Sequence, residues 1–194
     1  MEIGATKAVQ DRLKTTKIEE SKGASLVFCW DTHLTKIQGR NVLFIVNASN
    51  RYTIAMTDIE QGNWNYYTMY ISRVIHGVMQ EMGYSEDQIG QYFKMSGDTT
   101  VTKTHGRKSV GGINRMVMDA QYFGKKLEKE AKYQWELSEY LNRDICQPEG
   151  FDAYGYPSEL FKLDMERLGI AAKRKPAKVI DFAQYIENNR GTND

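Results

Sequence analysis

The sequence predicts an α+β fold: an antiparallel sheet of about four to five strands covered on one face by helices, with a helical C-terminal extension. Three observations predict it. Residues 26–59 contain three successive strand-like segments separated by polar turns, the pattern of an antiparallel meander. Several later segments repeat apolar residues every three or four positions, as amphipathic helices do. Between two of them lies the alternating, β-branched run TTVTKT at 99–104, which supplies a further strand. A chain of 194 residues is long enough to bury a real core. Residues 1–170 are therefore assigned to one domain, and 171–194 to a basic linker with a short helix.

The elements follow in order. Residues 2–5 are short and suit an edge strand. Thr6 stands at an N-cap position before a helical run over 7–14, in which Ala8, Val9 and Leu13 share one side. The polar stretch 15–25 is a loop. In the meander Leu26, Phe28 and Trp30 alternate with Val27, Cys29 and Asp31, and 33–37 leads into a turn at 38–41. The run VLFIV at 42–46 is apolar at every position, which marks a strand buried on both faces. After a second turn at 47–51, residues 51–59 alternate again. Residues 63–83 form an amphipathic helix ending at Gly83, and Ser85 with Gln88 opens a second helix through a capping box. A long helix begins at Ser109, with Val110, Ile113, Val117, Ala120 and Leu127 on its stripe. Gly111 and Gly112 in its first turn cost stability and suggest close approach of the backbone to the sheet or to a ligand, with the sheet the favoured reading. A loop spans 146–157, a further helix 158–169, the basic linker 173–178 and a last helix 179–186.

Composition narrows the function. With 26 basic and 25 acidic residues, any nucleic-acid contact must come from a local patch. Two cysteines and three histidines make a Cys/His zinc site unexpected, and no metal or cofactor is anticipated. Cys29 falls in a core strand, so reduced thiols and a cytoplasmic protein are expected. There is no apolar run of the roughly 18–20 residues that a membrane span requires, and residues 1–7 lack the apolar region of a signal peptide.

The sharpest candidate site is TKTHGRKSVGGINR, residues 102–115. It places Lys103, His105, Arg107 and Lys108 at a strand end, directly before a helix opened by Ser109. Free backbone N–H groups beside cations suit a phosphate or an RNA backbone, although the Walker order GxxxxGK[ST] is missing. Lys7 and Arg51 are further cationic candidates. Arg40 and Arg51 sit in turns at opposite ends of one strand, so they do not join Lys7 in a single site. Lys173, Arg174 and Lys175 in the linker offer a simple electrostatic contact. The neighbouring cations would lower the pKa of His105 and keep it neutral, which makes it the candidate general base for RNA cleavage. His33 shares a strand face with Asp31, and His76 sits mid-helix. The aromatic group Trp64, Tyr66, Tyr67 and Tyr70 suits packing on the sheet, or base stacking.

Thr6-Lys7, Phe28 and Trp30, the VLFIVN run, Asn50-Arg51-Tyr52 and TKTHGRKSVGGIN together resemble an uncharacterised family of bacterial, plasmid and phage proteins known only as a domain of unknown function. The likeness covers residues 1–130. This chain has Arg107-Lys108-Ser109 where the family looks like Arg-Ser. The resemblance implies a mobile-element protein. Some anti-CRISPR inhibitors of Cas9 are similar in size and α+β build. The leading expectation is thus counter-defence, acting on Cas9 or its guide RNA through the basic patches. A small RNA-cleaving or phosphate-handling enzyme using His105, and an antitoxin-like interaction module, are the alternatives.

Overall fold

The computed structural model describes residues 1–15 and 18–172. The linker cations Lys173, Arg174 and Lys175 and the helix expected over 179–186 lie outside the described residues. The α+β class is as the sequence predicts. Five strands, β1 (Glu2–Ala5), β2 (Cys29–Ile37), β3 (Arg40–Asn47), β4 (Thr53–Thr57) and β5 (Thr100–Thr102), form one sheet in the order β4-β3-β2-β1-β5. The helices are α1 (Lys7–Leu13), α2 (Gln61–Asn65), α3 (Tyr67–Glu81), α4 (Glu86–Ser96), α5 (Gly106–Gln121), α6 (Trp135–Asn142) and α7 (Pro157–Arg167). No helix among the described residues is long and apolar enough to cross a membrane.

The meander β2-β3-β4 is antiparallel throughout, as expected. Gln38 and Gly39 join β2 to β3 with φ values of 50° and 81°, which a two-residue hairpin turn of matching twist requires. The second turn is built by side chains. Asn47 Oδ1 accepts the N–H groups of Ser49 and Asn50, and Asn50 Oδ1 accepts that of Tyr52.

Two features differ from the expectation. First, β1 is no edge strand: it lies between β2 and β5 and runs parallel to both, so the sheet is mixed. All four of its residues are buried. Second, helices cover both faces. Leu43, Ile45, Ile54 and Ile3 pack with Ile71 and Ile75 of α3, Tyr92 of α4 and Phe161 of α7. Val42, Phe44, Val46 and Ala55 pack on the other side with Ile113 and Met116 of α5 and Leu137 of α6. The unbroken VLFIV run is the sequence's own record of this, because each alternate residue meets a different layer.

Smaller corrections concern boundaries. Leu26–Phe28 form a 3-10 turn, and the strand starts at Cys29. The long helix starts at Gly106, stops at Gln121, and faces inward with Ser109, Ile113, Met116 and Ala120. The capping box of Ser85 and Gln88 is formed as expected.

Candidate functional site

On the α5 side of the sheet, the β1-β2-β5 half is polar where the β3-β4 half is apolar. Register explains which residues meet. Glu2 pairs with Cys29 and Gly4 with Asp31, so Glu2, Cys29 and Asp31 rise from one face of adjacent parallel strands. The N-cap of α5, His105, closes over them. Its Nδ1–H donates to Asp31 Oδ1 at 2.7 Å and its Nε2–H to Glu2 Oε2 at 3.0 Å. The His105 backbone N–H also donates to Asp31, as does the Ser109 hydroxyl. Glu2 in turn accepts the Ser21 hydroxyl at 2.6 Å and the Lys22 N–H at 2.8 Å. The five residues Glu2, Cys29, Asp31, His105 and Ser109 are all buried.

This overturns the expected protonation of His105. Burial alone pushes the imidazole pKa down, but the hydrogen bond and charge of Asp31, with Cys29 alongside, outweigh it and raise the pKa to about 10. The ring is an imidazolium at neutral pH, not a neutral base. The cations adjacent in sequence matter less than carboxylates brought from residues 2 and 31. Burial works against ionisation of Glu2, yet its hydrogen bonds from Ser21, Lys22 and His105 hold its pKa below the usual value. Asp31 pairs with His105 and not with His33, its neighbour on the strand face. His33 Nδ1 lies 3.2 Å from the Thr6 hydroxyl, and burial lowers its pKa. His76 lies 3.1 Å from Glu86. Trp64 and Tyr67 are buried and stacked, while Tyr66 is exposed.

The predicted cations separate. Lys7 pairs with Asp11 at 2.8 Å on the surface, Lys103 pairs with Glu20, and Arg107 is exposed. Arg40 pairs with Asp58. Lys108, Ser109 and Arg51, however, line one cleft of about 220 Å³ together with Gly111, Gly112, Arg115 and Glu149. Lys108 Nζ donates to the Pro148 carbonyl at 3.3 Å. Arg51, at φ 63°, donates from Nη2 to the Gly112 carbonyl at 2.7 Å.

A side chain on Gly112 would place its Cβ 3.1 Å from that guanidinium, whereas Gly111 faces open space. The glycine pair thus makes room for an arginine and for the cleft, and not for the sheet. Arg115, the last residue of the candidate segment, joins this cleft and also pairs with Asp119 at 3.1 Å. Its signal was the spacing: Lys108, Gly111, Gly112 and Arg115 stand at i, i+3, i+4 and i+7, one helix face with cations at both ends and bare backbone between.

Residues 2–160 match the family model described as Domain of unknown function (DUF6933), so the match runs past the 1–130 segment into α6 and α7. No curated protein and no solved structure gives a significant match.

Proposed function

We propose that this chain, which belongs to the DUF6933 family of unknown function, is a non-enzymatic binding protein whose α5 cleft takes the phosphate backbone of RNA in a nucleoprotein partner. One observation carries the reading: Arg51, Lys108 and Arg115 line one cleft together with two glycines, and Glu149 is its one acidic lining residue. Guanidinium and ammonium donors with exposed backbone between them suit successive phosphates. Binding is favoured over cleavage because the His105 imidazole is held by Asp31 and Glu2 and does not line the cleft. The near-neutral charge of the whole chain favours a composite protein–RNA target over RNA in general. Within that class, Cas9 with its guide RNA and a mobile-element origin are the specific expectation.

The test is a charge reversal on the exposed helix face. Lys108→Glu with Arg115→Glu should weaken binding of a fluorescent single-stranded RNA at least tenfold while leaving the circular dichroism spectrum unchanged. Unchanged affinity rejects the cleft as the site. A pull-down that retains RNA then identifies the target. Cas9 with an intact guide supports the inhibitor, and recovery of partners without RNA replaces this reading with a protein-interaction module.

A further inference from the structure

The buried cluster beneath α5 is not used by the cleft, and its donor set has a chemistry of its own. Glu2, Cys29 and His105 each present one ligand atom, a carboxylate oxygen, a thiol sulfur and an imidazole nitrogen, all within 4.8 Å of one another. We propose that these three residues bind a divalent transition-metal ion, zinc by preference, which fastens β1 and the start of β2 to the N-terminus of α5.

Geometry supports this first. Ligands of one tetrahedral ion, bonded at about 2.0–2.1 Å through N and O and about 2.3 Å through S, stand roughly 3.3–3.7 Å apart. Glu2 Oε2 and His105 Nε2 already lie 3.0 Å apart, so these two ligands part by only tenths of an ångström, while the Cys29 sulfur, within 4.8 Å of the other ligand atoms, moves in by up to about 1 Å. The thiol is held only weakly by the carbonyls of Ser25 at 3.5 Å and Ala24 at 3.7 Å, and it also interacts with His105.

The outer shell supports it as well. A metal-bound histidine ordinarily gives its other ring N–H to a carboxylate, which fixes its orientation. Here His105 gives Nδ1–H to Asp31 at 2.7 Å, leaving Nε2 turned toward Glu2. Asp31 is itself fixed by the Ser109 hydroxyl and the His105 N–H, and Glu2 by Ser21 and Lys22. Mixed S, N and O donors select zinc or its neighbours over magnesium and calcium, which prefer oxygen alone. The fourth position of the tetrahedron is left for water.

The charges balance. Without the ion, the carboxylates of Glu2 and Asp31 and the imidazolium of His105 sum to one negative charge. Entry of the dication expels the thiol proton of Cys29 and the Nε2 proton of His105, and the sum is again one negative charge. No additional net charge is buried.

Because Met1 is buried, the test uses the full chain with its tag at the C-terminus. The protein is stripped with chelator and titrated with Co²⁺, then with Zn²⁺. One equivalent of Co²⁺ should bind, giving a thiolate-to-cobalt charge-transfer band and tetrahedral visible bands that Zn²⁺ abolishes. Cys29→Ser should remove the charge-transfer band and Cys146→Ser should keep it. Asp31→Asn, with all three ligands intact, should weaken binding by about 10- to 100-fold. A folded, stripped wild-type protein that takes up neither ion overturns the proposal, as does a charge-transfer band that survives Cys29→Ser. Should Cys29→Ser fail to fold, the wild-type titration decides alone. The readout is independent of RNA, so the cleft and the metal site stand or fall separately.

Discussion

Gly4 is needed for the space above it. A Cβ at this position would fall inside the Asp31 carboxylate and within 3.0 Å of the Thr104 backbone. Gly4→Ala should therefore lower the unfolding free energy by about 3 kcal/mol in urea titration, since a close-packed site has no slack to give. A loss under about 0.5 kcal/mol would mean that Asp31 moves freely and holds His105 loosely. Asp164 supplies a pH prediction. It is 4% exposed, and burial raises its pKa despite hydrogen bonds from Asn50 and Ser49 and the charge of Arg167. A raised carboxylate pKa means that the folded chain holds this proton more tightly than the unfolded chain does. The stability that this gives is present at acid pH and is lost as pH rises from the unfolded value through the folded one. Asp164→Asn removes that loss. Its stability relative to wild type should increase as pH rises above the usual carboxylate value of about 4 in parallel urea titrations. A flat difference would show that Asn50 and Arg167 fully compensate the buried charge.

Helix α4 shows what a local signal can establish. Ser85 and Gln88 exchange hydrogen bonds across the first turn, and Gln88 Nε2 also donates to the Ile170 carbonyl at 2.9 Å, tying α4 to the chain beyond α7. Ser85→Ala should cost about 1 kcal/mol. Gln88→Ala keeps that cap, whose donor is the backbone N–H of residue 88, but removes the reciprocal bond to the Ser85 N–H and the tie to Ile170 together. A Gln88→Ala loss under about 0.5 kcal/mol in thermal melts would assign the Ile170 contact no weight. This box was legible because its partners lie three residues apart, and so were the meander and its turns. The phase of α5 was legible only in part. Ile113 and Ala120 face inward as expected, but Ser109 turns in to reach Asp31 and Met116 is buried, where the apolar pattern points to Val110 and Val117. The cluster itself escaped the sequence for a related reason. Residues 2, 31 and 105 meet only because β1 inserts in parallel beside β2, a pairing that four residues of EIGA do not announce. Lys103 was legible as a cation but its ion pair was not, since Glu20 comes from a distant loop.

At the scale of the whole molecule, a formal net charge of +1 gives no field to steer RNA from a distance. If the α5 cleft takes RNA as proposed, affinity comes from the few cations that touch phosphate, and that number is measurable. Each phosphate neutralised on a single strand releases counterions and contributes about −0.7 to the slope of log K against log salt. Arg51, Lys108 and Arg115 lining the cleft predict a slope of about −2. Lys108→Ala should bring it to about −1.4, whereas Lys7→Ala should leave it unchanged, because Lys7 lies outside the cleft and pairs with Asp11. Fluorescence anisotropy with a short single-stranded RNA across a series of salt concentrations separates the possibilities. A slope near zero would mean that the cleft takes no phosphate. A steep slope that falls equally for both variants would place the contact across the general surface, and the convergence of Arg51 with Lys108 and Arg115 would then serve only to anchor α5 through the Gly112 carbonyl. A slope near −2 that responds to Lys108 alone would tie the affinity to this one helix face.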